Sequence, residues 1–200
     1  MYKRQPNNLS LPPEPAETPP QKHGWLYTIL DIAKQLVVAL VLVFLINSVI
    51  DRVRVENISM YPTLKEGERL FVNKLAYKLG SVERGDILTF HYPLEPTLNY
   101  IKRAIGLPGD MVEIKDKQVW VNNIVLNEPY IVVPSDYTGK WIVPSESVFV
   151  LGDNRIDSAD SHLWGFVPYK DLVGKALAVY WPLDHVRILS HPNLLQAASQ

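Results

Sequence analysis

The chain has no cysteine among its 200 residues. That excludes disulfides, thiol catalysis and cysteine-ligated metals, and it suits an oxidising compartment. A basic excess is missing too: 20 Lys and Arg stand against 21 Asp and Glu, a formal net charge of -1. A general nucleic-acid binder would carry a positive surplus, so no nucleic-acid partner is expected. The five histidines, at positions 23, 91, 162, 185 and 191, share no metal-ligand spacing, so neither a metal nor another cofactor is expected. Large apolar residues are nearly absent from residues 1–24, which instead carry Pro6, Pro12, Pro13, Pro15, Pro19 and Pro20. Such a stretch cannot bury enough surface to offset the entropy of ordering, so a disordered tail is expected. A polyproline ligand is the second reading of Leu11-Pro12-Pro13-Glu14-Pro15.

One long apolar run follows. Trp25 to Ile50 reads as a single helix in which Asp31 and Lys34 lie one turn apart and can pair. Gln35 to Ile50 carries no charge, but alone it falls short of the about 20 residues that a span needs. Snorkelling by Lys34 and the apolar turn from Trp25 to Leu30 extend it, and Trp25 and Tyr27 suit a membrane interface. A cleaved signal peptide is the competing reading. The proline tail in place of a charged leader, and the poor cleavage site in Asn47-Ser48-Val49-Ile50-Asp51, favour a retained anchor over residues 25–51. The slight bias of basic residues puts the N-terminus in the cytoplasm and the domain of residues 52–200 outside.

Directly after the anchor, Val53, Val55 and Asn57 alternate with Arg54, Glu56 and Ile58 as in a strand. Ile58-Ser59-Met60-Tyr61-Pro62-Thr63-Leu64 then places a serine before a turn fixed by Pro62. A serine hydroxyl is a weak nucleophile until a base takes its proton. Leu70-Phe71-Val72 is a second strand, and Asn73 to Gly80 is a helical turn or a continued strand. Arg84-Gly85-Asp86 turns into the strand Ile87 to Phe90.

Tyr100 to Ile105 is the next strand, and the period of two sets Lys102 and Arg103 on opposite faces. At least one therefore faces a core, where lysine is rare. A lysine of ordinary pKa, about 10.4, is almost wholly charged at neutral pH. Burial can lower that value by roughly 3 to 5 units and leave an amine able to accept a serine proton. A snorkelling surface lysine is the other reading. Pro108-Gly109 ends the strand with the residues of a type II turn.

Beyond it, Val112-Glu113-Ile114, Gln118 to Val121 and Ile124 to Leu126 read as strands, with Asn122-Asn123 as a two-residue turn of positive φ. Glu128 to Ser145 holds Pro129, Pro134, Gly139 and Pro144, so loops and short strands are expected there and no chemistry. Ser147 to Leu151 is a buried strand entering the polar loop Gly152 to Gly165. Asp153, Arg155, Asp157 and Asp160 in that loop can pair with one another or with Arg103. A structural Asx-rich turn is one reading of it, a calcium loop another, but the spacing does not match an EF-hand. Asp171 to Leu189 adds one or two strands, and Ser190 to Gln200 is expected to be loosely ordered.

Taken together and in this order, four motifs closely resemble the sequence boxes of bacterial type I signal peptidases. They are Ser59-Met60-Tyr61-Pro62-Thr63, Arg84-Gly85-Asp86-Ile87, Tyr100 to Asp110, and Gly152-Asp153-Asn154-Arg155 through Ser158 and Asp160. The resemblance runs from the anchor to about Gly165. It implies a mostly β fold: an antiparallel catalytic core with a β insert, here about residues 111–144, behind one transmembrane helix. It implies a membrane-bound serine endopeptidase that cleaves signal peptides from exported preproteins, with preproteins and the lipid bilayer as partners. By motif, Ser59 resembles the nucleophile, Lys102 the general base and Ser158 the serine that orients the lysine. Arg103, Asp153, Arg155 and Asp160 resemble the supporting network. The Ser59 N–H, helped by the Asn57 amide, would hold the oxyanion, and small pockets near Val55, Met60, Leu64, Tyr100 and Ile101 would take the substrate. Three positions depart from the family pattern. Asn57 stands where serine or glycine is frequent, Ile156-Asp157 where Asp-Asn or Asn-Asn is common, and His162 where arginine is frequent. The alternatives are a self-cleaving repressor-type Ser-Lys peptidase and a non-catalytic membrane-tethered β module that binds envelope proteins.

Overall fold

The structure, a computed structural model, describes residues 24–195. The expected tail before Gly24 lies outside the described residues, as do residues 196–200. Helix α1 spans Trp25–Val49. No proline interrupts it, and apolar side chains cover it all round, with none buried against protein. Twenty-five residues at about 1.5 Å each reach about 37 Å, more than the about 30 Å of a bilayer's hydrocarbon. Among the described residues it is the one helix long and apolar enough to cross a membrane. Lys34 Nζ donates to Asp31 Oδ1 at 3.4 Å, so the one charged pair within the helix neutralises itself.

The β domain begins where α1 stops. Its strands are β1 (Ile50–Arg54), β2 (Arg69–Asn73), β3 (Ile87–Tyr92), β4 (Glu95–Gly106), β5 (Met111–Lys115), β6 (Gln118–Val121), β7 (Ile124–Val125), β8 (Gly139–Ile142), β9 (Ser147–Leu151), β10 (Val167–Pro168), β11 (Leu172–Trp181) and β12 (Arg187–Ile188). A short α2 (Ala76–Leu79) resolves the ambiguity after β2 in favour of a helical turn. A further short α3 (Ser161–Trp164) sits inside the stretch expected to be a polar loop. The Asp160 side chain starts it by accepting the His162 N–H.

Every strand pair is antiparallel. The large sheet has the order β1-β2-β11-β3-β4-β9-β10, with β12 on β11, and the small one β7-β6-β5-β8. The mostly β, antiparallel architecture with one N-terminal apolar helix is as expected. Three apolar clusters fill the domain, around Ile105 and Phe149, around Leu64 and Val72, and around Phe90 and Val150. Strand β4 is central: it pairs β3 along one edge and β9 along the other. Its last five residues, Lys102 to Gly106, are all buried, so Lys102 and Arg103 both point into protein although they face opposite ways. Strand period required one inward residue, and the covering of both faces makes it two.

Two expectations need correction. The strand after the anchor spans Ile50–Arg54, not Val53 to Ile58; Val55 still exchanges backbone hydrogen bonds with Gly67 and Glu68, and the chain beyond it forms the serine loop. Nor is the stretch after Ser190 loose as far as Leu195. Leu194 is only 1% exposed, packs in the Ile105 cluster and accepts the Asn127 N–H at 2.9 Å, because its side chain closes an apolar hole. Asn122 and Asn123 take the expected left-handed turn, at φ 51° and 65°, and Gly109 takes φ 83° after Pro108.

Gly106, near the end of β4, is packed tightly between the two sheets. A Cβ there would lie 2.5 Å from Val112 Cγ2, 2.8 Å from Val143 Cγ2 and 3.1 Å from Phe149 Cβ. Gly106→Ala is therefore expected to overpack this junction and lower unfolding stability by about 1–3 kcal/mol. Denaturant unfolding of the full chain in detergent measures it, and an unchanged midpoint would contradict such tight packing.

Candidate active site

Ser59 is presented by a turn whose apolar residues are sunk into the domain. Met60 and Leu64 are buried, Leu64 N–H donates to Met60 O at 2.9 Å, and Tyr61 N–H donates to Ile58 O at 2.9 Å. The Gly152 loop grips the same turn from the far side of the sequence. Asn154 N–H donates to Ser59 O at 3.0 Å, and Asn154 Nδ2 to Ile58 O at 3.3 Å. Gly152 has to be glycine for this approach, since a Cβ would fall 2.5 Å from Ser59 O and 2.2 Å from Ser158 Oγ.

Strand β4 delivers Lys102 to that serine. Lys102 Nζ donates to Ser59 Oγ at 2.6 Å, and the side chain is buried beside the Tyr100 ring, 5.4 Å from its centroid. Burial penalises the ammonium and lowers its pKa from 10.5 to about 8, against the pull of Asp160 and then Asp153, which favour the charged form. At pH 7 about one lysine in ten is then a free amine, where an ordinary one offers less than about one in a thousand. The 2.6 Å contact suits proton exchange in either direction.

Asn57 behaves differently from its expected role. Ser59 N–H and Ser59 Oγ both donate to Asn57 Oδ1, at 3.1 and 2.7 Å. A backbone N–H can only donate, so the atom facing the serine is the carbonyl oxygen and not the amide. The Ser59 N–H is thereby occupied in this state. Ser158 Oγ is buried and makes no hydrogen bond, so the expected bond to Lys102 is not formed here.

Around the pair lies a charged network. Arg103 holds Asp153 through both carboxylate oxygens, at 2.8 and 2.6 Å, and donates to Gly85 O at 2.9 Å. Arg155 Nε donates to Gly152 O at 3.0 Å, and its guanidinium grips the Glu128 carboxylate. Asp160 accepts the Gly152 N–H at 2.9 Å and meets His162 Nδ1 at 2.6 Å. The segment expected to carry no chemistry closes this network. Besides Glu128, it lays Tyr130 over the Arg103 guanidinium at 3.9 Å and Tyr137 against the His162 ring at 3.8 Å. No sequence signal points to Glu128, because Asp153, Asp157 and Asp160 in the loop already offer Arg155 carboxylates.

A cavity of about 730 Å³ opens beside Ser59 between the β1 end and β4. Val55, Met60, Tyr100 and Ile101 line it with Asn57 and His91. Leu64 does not line it; it is fully buried in the core behind. Elsewhere among the described residues, Glu83, Asp86 and His191 bring ligand atoms within 4.8 Å of one another. Lys175 Nζ already lies 2.5 Å from Asp86 Oδ1, so an ammonium supplies the positive charge there.

Comparison with known proteins gives one answer. The family described as Signal peptidase, peptidase S26, matches residues 29–181. Signal peptidase I of Leptolyngbya laminosa is 44% identical over 143 residues, 67% of this chain and 70% of the relative. Probable signal peptidase I-2 of Synechocystis sp. is 39% identical over 182 residues, 87% of this chain and 81% of the relative. Signal peptidase I of Bacillus caldolyticus is 41% identical over 143 residues, 64% of this chain and 78% of the relative.

A buried ammonium weakens the fold, and the sign of that effect is testable. Lys102 binds its proton less tightly folded than unfolded, so stability rises as pH climbs from about 8 to 10.5 and is lost as pH falls through 8. The shift corresponds to on the order of 3 kcal/mol. Lys102→Met keeps the volume without the charge. It is expected to unfold later than the wild type at pH 7 by about 1–3 kcal/mol, a gain that shrinks towards pH 10.5. A variant that is less stable at every pH would contradict the buried charge.

Proposed function

The chain belongs to the family Signal peptidase, peptidase S26, and on that premise we propose that Ser59 and Lys102 are the nucleophile and general base of its reaction. The protein is a membrane serine endopeptidase that cleaves signal peptides. The observation that carries the residue assignment is the 2.6 Å contact between Lys102 Nζ and Ser59 Oγ, made by a lysine that burial drives towards its neutral form.

Neutral Lys102 takes the hydroxyl proton as Ser59 Oγ attacks the scissile carbonyl carbon. The carbonyl π electrons move to oxygen, giving a tetrahedral oxyanion. When it collapses, the C–N bond breaks, and Lys102 returns the proton to the leaving amine. An acyl-enzyme remains. Lys102 then takes a proton from water as the water oxygen attacks the ester carbonyl, the second tetrahedral intermediate breaks the bond between the acyl carbon and Ser59 Oγ, and Lys102 returns the proton to Ser59 Oγ as the acid product leaves. The Ser59 N–H stabilises the oxyanion once Asn57 Oδ1 releases it; losing one such donor costs about 2.7–4 kcal/mol. The apolar stretch of the cavity at Val55, Met60, Tyr100 and Ile101 receives the small side chains before the cut. Arg103, Asp153, Arg155 and Asp160 hold the Gly152 loop against the serine turn, and Ser158 orients the lysine once substrate has displaced the resting contacts.

The anchor is α1, with the N-terminus in the cytoplasm and the β domain on the far side, where exported preproteins emerge. Because β1 starts directly after α1, the serine turn stays within a short tether of the bilayer that delivers the substrate. A purified preprotein in detergent tests the assignment. Ser59→Ala and Lys102→Ala are each expected to lower the cleavage rate by about a thousandfold or more. Cleavage by either variant within about tenfold of wild type would refute the pair.

A further inference from the structure

Two carboxylates favour the charged form of Lys102, and they are neutralised in different ways. Asp153 is held by both ends of the Arg103 guanidinium, a cation that never titrates in the working range. Asp160 is fully buried, and the ionisable group that meets it is an imidazole, His162 Nδ1 at 2.6 Å. Asp160 also belongs to the site mechanically, because it holds the Gly152 N–H beside Ser59 O. We propose that His162 is a positioning residue that acts through Asp160, so that the charge on its imidazole sets how much free base Lys102 offers to Ser59. This inference rests on the Ser59–Lys102 reading above.

The surroundings isolate that exchange. His162 faces Asp160 from its own turn and the Tyr137 ring from the segment before β8. Burial, with the nearby Asp160 charge, pushes the Tyr137 phenol up to about 12, so it stays neutral. The next charges outward, Arg155 and Glu128, pair with each other. On the lysine side stand Ser59, the Tyr100 ring and the Arg103–Asp153 pair. A protonated imidazole cancels the Asp160 charge and removes one of the supports of the Lys102 ammonium. A neutral imidazole restores that support. The two protons therefore oppose each other, although Asp160 stands between them.

The test is log kcat/KM for preprotein cleavage from pH 5 to 9, using the full chain in detergent. In the wild type the acidic limb is expected to flatten below unit slope over the interval in which His162 gains its proton. His162→Gln, permanently neutral, is expected to keep unit slope, so the ratio of wild type to variant grows from about 1 at pH 8 to about three- to tenfold at pH 5. His162→Arg, permanently charged, is expected to hold its advantage over His162→Gln to a higher pH than the wild type does. A wild-type limb of unit slope, or a wild-type to His162→Gln ratio constant with pH, would overturn the proposal; a merely structural histidine gives the constant ratio. The wild-type slope decides even if a variant fails to fold. If Ser59→Ala or Lys102→Ala still cleaves, the underlying reading fails instead.

Discussion

A lysine kept out of water is the constraint on which the rest of this domain depends. Exposed, Lys102 would hold its proton and leave Ser59 inert; buried without support, its charge would weaken the fold. The structure places it on the central strand, where Leu88 of β3 lies beside it and the Tyr100 ring faces its ammonium. The adjacent Arg103, facing the other way, is equally buried but keeps its charge through two-point pairing with Asp153. One strand thus carries two buried cations with different treatment, one that donates to a serine hydroxyl and one held at two points by a carboxylate.

That contrast explains why so much of the chain converges on a short polar loop. Gly152 must touch the carbonyl of Ser59, so the loop is fixed by Arg155 at its carbonyl and by Asp160 at its N–H. Arg155 in turn needs a counter-charge, which the segment between β7 and β8 supplies as Glu128, together with the aromatic faces of Tyr130 and Tyr137. The small sheet is therefore more than an appendage. Its core is continuous with Phe149 and Leu151 of β9, the strand that feeds the Gly152 loop. Asn57 Oδ1 engages both the hydroxyl and the backbone N–H of Ser59.

Local rules made the strands, the turns and the anchor legible in the sequence. The alternation around Lys102, the positive-φ residues Asn122, Asn123 and Gly109, and the uncharged run in α1 all follow from neighbours within a few positions. Ser59 and Lys102 were legible as a pair only through the resemblance of several boxes at once. What stayed hidden depends on contacts between residues far apart. Glu128, Tyr130 and Tyr137 reach the site across a proline-bearing segment whose local pattern says only that it is irregular. Leu194 looked like part of a frayed end because nothing local shows the hole it fills. Leu64 has the right chemistry for a pocket, and burial on all sides takes it out of reach. For Asn57 the residue type was informative, but which end of a symmetric-looking amide faces the serine is decided by the backbone donor opposite it.

The chemistry of the pair comes down to one proton on one nitrogen, and it can be read there. Lysine labelled with 13C at Cε, in the full chain in detergent, reports each ammonium through its chemical shift as pH is varied, and Lys102→Met assigns the signal. The midpoint of Lys102 is expected near 8. A midpoint at the ordinary value of about 10.4 would mean that Lys102 stays charged at neutral pH, and the serine would be left without its base.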